Sequence, residues 1–198
     1  YKTLLDSQMS RLDADEFRDQ VLLPQVIGRI QDCLRILNIL DEAAPFAVEA
    51  GEEGHLAAMR LSSLRVEVEE TLRLLVTDYR RQGDADLKSD RLSDQMAARI
   101  RSHDAQDPLP IARWLGWLST GEPGLQDIPV RPRGYRLLKQ IASIPAATAD
   151  NLVARFGDIF HLSRADEDAL MAVDGIGEKR AATIREGIVR LRDRSVYT

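Results

Sequence analysis

The chain has one cysteine, Cys33, and three histidines in 198 residues. A single thiol excludes an internal disulfide framework and a zinc site built on several cysteines. Cys33 falls in an apolar helical stretch and reads as a small buried hydrophobe. His55, His103 and His161 stand apart from one another, without Cys, Asp or Glu at ligand spacing, and read as surface or packing residues. No Gly-rich phosphate loop of the Walker type and no serine nucleophile elbow occurs. A signal peptide and an apolar run long enough to cross a bilayer are also missing, so the expected location is cytoplasmic. A basic excess is lacking too. The 27 Lys and Arg face 32 Asp and Glu, for a net charge of −5, which taken alone argues against a nucleic-acid binder.

That charge is unevenly spread. Residues 131–198 hold 12 basic against 9 acidic residues, whereas residues 1–130 hold 15 against 23. The basic third also contains the most informative motif, Val173-Asp174-Gly175-Ile176-Gly177-Glu178-Lys179-Arg180-Ala181. An apolar helix end runs into Gly-Ile-Gly, and a new helix begins at once. Glycines permit the tight turn and a close approach of backbone to a ligand. The helix start offers free N–H groups and partial positive charge, which suit an anion. This pattern predicts a helix-hairpin-helix that grips a nucleic-acid phosphate. A tight helix-helix corner with no ligand is the other reading of a lone motif of this kind.

An internal repeat bears on that choice. Shifted by 32 residues, Leu138 falls on Leu170, Ile141 on Val173, Ile144 on Ile176, Leu152 on Ile184 and Phe156 on Ile188. Each copy reads as helix, tight turn, helix. Two such units can bury their apolar faces together in about 60 residues. The copies are unequal: the first hairpin reads Ser143-Ile144-Pro145, and Pro145 has no N–H to offer a phosphate. Hairpin two is therefore the expected phosphate site. The candidate DNA-binding residues are Gly175, Ile176 and Gly177 through backbone N–H groups, Lys179 and Arg180 through charge, Arg133 and Arg136 as further cations, and Ser143 in hairpin one. Arg131 and Arg185 are further basic residues expected near a backbone.

Residues 1–130 read as a helical linker or spine. Leu4, Leu5 and Leu12 start one helix, and Asp13-Ala14-Asp15-Glu16 resembles a capping box for the next. Pro24 fits the first turn of a third, whose stripe runs Val26, Ile27, Ile30, Leu34, Leu37 and Leu40. Pro45 is expected to kink or end it, and Gly51-Glu52-Glu53-Gly54 to form a turn. Helices are predicted over 55–64 and 67–79, a loop over 82–90, and short helices over 92–100 and 110–118. The Gly- and Pro-containing stretch 120–131 reads as the linker to residues 131–198. Trp114 and Trp117 read as packing anchors, with base stacking the lesser alternative. The acidic runs Glu49-Glu52-Glu53 and Glu67-Glu69-Glu70 read as solvated helix faces, not metal sites.

The run Arg131-Pro132-Arg133-Gly134-Tyr135-Arg136-Leu137-Leu138, followed by Asn151-Leu152-Val153-Ala154-Arg155-Phe156-Gly157 and by hairpin two, resembles the DisA family of bacterial DNA integrity scanning proteins. Leu75-Val76-Thr77-Asp78-Tyr79-Arg80 and Tyr1-Lys2-Thr3-Leu4-Leu5-Asp6 are similar to the family's helical linker. The resemblance covers nearly the whole chain, although Pro45 and residues 49–60 depart from the pattern. It implies an N-terminal diadenylate cyclase domain that makes cyclic di-AMP from ATP with a divalent metal. It further implies a homo-octamer held through that domain, and binding of branched or junction DNA by the tandem hairpins. The family's Asp-Gly-Ala and Arg-His-Arg cyclase tripeptides do not occur here. The chain, which opens on Tyr1, is thus expected to lack the cyclase domain, its activity and its cofactors. The resemblance places such a protein at the bacterial nucleoid. Two functions remain open at this point: a sequence-independent DNA-binding module, or a protein-interaction module whose hairpins are only structural.

Overall fold

The computed structural model describes residues 2–81, 107–118, 125, 127–141 and 144–196. Among these residues it is all-α, apart from one isolated bridge between Leu22 and Pro129. Nine helices are described: α1 (Lys2–Arg18), α2 (Leu23–Glu49), α3 (Gly51–Tyr79), α4 (Pro108–Trp114), α5 (Tyr135–Lys139), α6 (Ala146–Phe156), α7 (Ile159–Leu162), α8 (Glu167–Met171) and α9 (Glu178–Val196).

α2 and α3 form a long antiparallel pair. Pro24 lies in the first turn of α2, where its missing N–H costs nothing. The predicted stripe from Val26 to Leu40 is buried against Val68, Leu72, Leu75 and Val76. Pro45 does not end the helix, which continues to Glu49. The turn is tighter than the sequence suggests. Only Ala50 separates the two helices, Gly51 has φ +60°, and Glu52 to Gly54 are already helical. A Cβ on Gly54 would stand 2.0 Å from the Ala47 carbonyl oxygen, so glycine lets this corner close. The two helices predicted over 55–79 are one, because residues 65 and 66 contain no helix breaker. α4 adds Ile111 and Ala112 to this first core, with Leu115 just beyond it and Trp114 and Trp117 packed alongside.

α1 is also one helix where two were expected. Asp13 and Glu16 do not form a capping box; both are buried within α1, Glu16 in its last turn. The predicted loop 82–90 and helix 92–100 lie outside the described residues, as does much of the 120–131 linker.

A second core gathers Leu137, Leu138, Ile141, Leu152, Leu170, Val173, Ile176, Ile184 and Ile188. The equivalences Leu138/Leu170, Ile141/Val173 and Leu152/Ile184 are buried in both copies, as the 32-residue repeat predicts. Full burial of each such side chain is worth about 1.5–3 kcal/mol. α5 and α6 belong to one unit; α8, the second hairpin and α9 make the other. Gly187 sits where a Cβ would meet Ile141 at 2.6 Å, so α9 passes close against the first unit. α1 spans both cores, with Leu12 in the first and Phe17 in the second.

Candidate nucleic-acid interface

Hairpin two is built by α8, a left-handed glycine and the start of α9. Asp166 caps α8 by accepting from the Ala169 N–H at 2.8 Å. The Val173 and Ile176 N–H groups close successive turns onto Leu170 and Val173. Gly175 then reverses the chain at φ +80°, a conformation strained for any residue with a Cβ. Ile176 is buried and pins the turn to the second core. Its N–H is bonded to the Val173 carbonyl at 3.1 Å, so it does not serve as the phosphate donor expected of it.

The neighbouring amides differ. Among the described residues, no acceptor takes the N–H groups of Gly175, Gly177, Glu178 or Lys179. All four residues are exposed. These are turn and first-turn amides of a 19-residue helix, where orphan donors and dipole act together. Lys179 stands beside them. Arg180 is exposed as well, and its Nη1 donates to the Gly175 carbonyl at 2.5 Å, so the guanidinium braces the turn.

The structure corrects the reading of Arg133 and Arg136 as contacts to a DNA strand. The Arg136 side chain is 6% exposed and donates to Asp13 and, at 2.6 Å, to Glu16. A buried guanidinium already shared by two carboxylates cannot reach a strand. Arg133 is also buried, with Nη2 donating to the Arg80 carbonyl at 3.2 Å. Arg131 is exposed but holds Asp19 with two bonds of 2.8 and 2.6 Å. Ser143 lies outside the described residues. Pro145, at the start of α6, is exposed, and the two hairpin units touch where Asn151 donates to the Asp174 carbonyl at 3.2 Å.

Sequence reasoning missed Asp78. Its carboxylate, carried on α3, accepts from the N–H groups of Gly134 (3.0 Å), Tyr135 (2.7 Å) and Arg136 (2.9 Å). It thus caps α5 from another part of the chain. Gly134, at the N-cap with φ +106°, has no side chain to do so, and a Cβ there would crowd Ile159 at 3.1 Å. Tyr79 adds a 2.5 Å bond to Glu16. α1, α3 and α5 are therefore clasped by one buried polar cluster. The signal available in the sequence was two acidic residues, Asp13 and Glu16, on the buried side of an amphipathic helix.

Comparison with known proteins agrees with this architecture. Residues 1–122 match the DisA bacterial checkpoint controller linker region, and residues 140–188 match the helix-hairpin-helix motif. The DNA integrity scanning protein DisA of Thermotoga petrophila is 36% identical over 98% of this chain and 54% of its own length. Its counterpart from Carboxydothermus hydrogenoformans is 35% identical over 100% of the chain and 55% of its own length. That of Streptomyces coelicolor is 37% identical over 99% and 52%. The chain spans about half the length of these curated relatives. With a linker match over more than half of its residues and a hairpin match in the remainder, the chain belongs to the DisA family.

Proposed function

We propose that this chain is the linker and DNA-binding portion of a DNA integrity scanning protein, gripping nucleic-acid backbone through hairpin two. The carrying observation is the set of unengaged amides on the exposed residues Gly175, Gly177, Glu178 and Lys179. Such donors meet phosphate oxygens and never reach base edges, so binding is independent of sequence. With a mild local basic excess, affinity from one copy is weak and strongly salt-dependent. Preference for branched or junction DNA then comes from shape, or from several copies bridging separate arms.

The longer protein is proposed to carry a diadenylate cyclase domain, to use ATP with a divalent metal, and to assemble as a homo-octamer in the bacterial cytoplasm. Among the described residues, no group of three or more His, Cys, Asp or Glu side chains gathers to hold an ion. Glu49, Glu52 and Glu53 are exposed, and Glu70 is engaged by Arg73 and Lys139. No described helix is long and apolar enough to cross a membrane.

Fluorescence anisotropy with a labelled four-way junction and a linear duplex, each titrated with salt, tests the reading. Lys179→Glu should weaken binding to all sequences by a similar factor and lower the salt slope by about one. An unchanged salt titration in that variant rejects the hairpin-two site.

A further inference from the structure

A second concave surface opens between the spine and the hairpin domain. It encloses about 510 Å³ and is lined by Asp19, Arg80, Arg81, Trp117, Arg131 and Arg133, with Gly157 and Asp158 on the hairpin side. That volume falls in the range that holds small organic ligands. Four arginines against two aspartates is a basic wall on a chain that is acidic overall.

Both aspartates are occupied. Asp19 is taken by the two bonds from Arg131. Asp158 accepts from the His161 backbone N–H at 2.8 Å and also meets the His161 ring. Arg133 is 92% buried by its 8% residual exposure, and its Nε is sequestered without any partner. Burial lowers the affinity of Arg133 for its proton, and the nearby positive Arg80 acts in the same direction, whereas Tyr135 and Asp78 oppose them. Trp117 supplies a fixed aromatic plane. Its indole N–H donates to the Tyr79 carbonyl at 2.6 Å, and the Arg81 guanidinium lies 5.8 Å from the ring centroid.

We propose that this inter-domain cleft binds a small phosphate ester of nucleotide size, with Arg81 and Arg133 as its anion ligands and Trp117 as its flat wall. Guanidinium groups pair with phosphate through two parallel bonds, which the exposed Arg81 can present, whereas Arg133, with Nη2 on the Arg80 carbonyl, adds positive charge at the floor. The cleft is distinct from the hairpin-two amides. Gly157 marks the cleft end of α6, whereas Asn151, where hairpin two touches, lies roughly 9 Å back along the helix axis. A duplex backbone meets rim arginines but does not enter a cleft whose floor arginine is buried.

The test follows the Trp117 indole N–H signal of the intact chain by NMR, assigned with Trp117→Phe, at about 0.15 M ionic strength. The probes are ADP, inorganic pyrophosphate and a linear DNA duplex. A saturable shift with ADP, with or without one from pyrophosphate, supports the site. Arg81→Ala, at an exposed position, and Arg133→Lys, which keeps the charge but loses the planar guanidinium that the Arg80 carbonyl holds in place, should each weaken it by about tenfold. Lys179→Glu should leave it unchanged. No saturable shift with ADP overturns the proposal, and so does equal affinity in the Arg81→Ala and Arg133→Lys variants when both remain folded. A shift with duplex alone overturns it in favour of a backbone contact.

Discussion

Glu178 and Lys179 put opposite charges on adjacent residues at one helix start. For α9 alone the carboxylate is favourable, because acidic groups in a first turn complement the helix dipole by about 0.3–1 kcal/mol. For an incoming phosphate it is a like charge beside the same amides. The two roles conflict, so removing the charge should separate them. Glu178→Gln is expected to raise affinity for DNA of any sequence by about threefold at low salt. The gain should shrink as screening increases, with a small fall in thermal stability. Anisotropy titrations of the two proteins at two salt concentrations measure this. An affinity that is unchanged at low salt would show that no phosphate approaches α9.

α5 illustrates how an element can depend on a residue far away in the chain. With five residues and glycine at its N-cap, it has little helical stability of its own. The three N–H groups that Asp78 accepts are buried or half-buried, and without that carboxylate they lose their partner. Asp78→Ala should therefore cost about 3 kcal/mol or more. Urea denaturation of the intact chain measures this, and a cost below about 1 kcal/mol would mean that α5 holds without its cap. The same example shows what the sequence reveals and what it hides. The 32-residue repeat, the Val26-to-Leu40 stripe and the Gly175 turn are local patterns, and each was legible because periodicity and glycine placement carry them. Asp78, Gly134 and Arg136 act across 56 to 58 positions, and no local window joins them. Arg136 and Arg133 look like DNA contacts in the sequence because a basic residue near a hairpin usually faces solvent. Burial holds both away from a DNA strand. Asp13-Ala14-Asp15-Glu16 imitated a capping box for the same reason, since acidic residues near a helix start and acidic residues facing a buried arginine look alike in one dimension.

At the scale of the whole molecule, the hairpin domain is clasped to the spine by α1 and by the buried cluster of Asp13, Glu16, Asp78, Tyr79 and Arg136. The clasp carries a pH dependence. Three carboxylates surround one guanidinium, and the Glu16 Oε2 is buried without a partner. Burial pushes the Glu16 carboxyl up to about 7; Arg136 and the Tyr79 hydroxyl oppose the shift, whereas the charges of Asp13 and Asp78 add to it. Asp78 moves in the same direction, again chiefly through burial. Between 4.5, the ordinary value, and about 7, the folded protein therefore holds a proton that the unfolded chain releases. Stability from this group is complete below 4.5 and is lost as pH rises through 7. Glu70 does not confuse the measurement. Hydrogen bonding from Arg73, aided by Lys139, holds it at about 2, so its contribution is present above 4.5 and fades only at more acid pH. Urea midpoints measured from pH 5 to pH 8 should fall as pH rises. Glu16→Gln, which keeps the shape and removes the titrating proton, should flatten that fall. If the wild-type midpoint instead rises across this interval, or Glu16→Gln leaves the slope intact, Glu16 remains ionised in the folded protein and the clasp is a fully charged network.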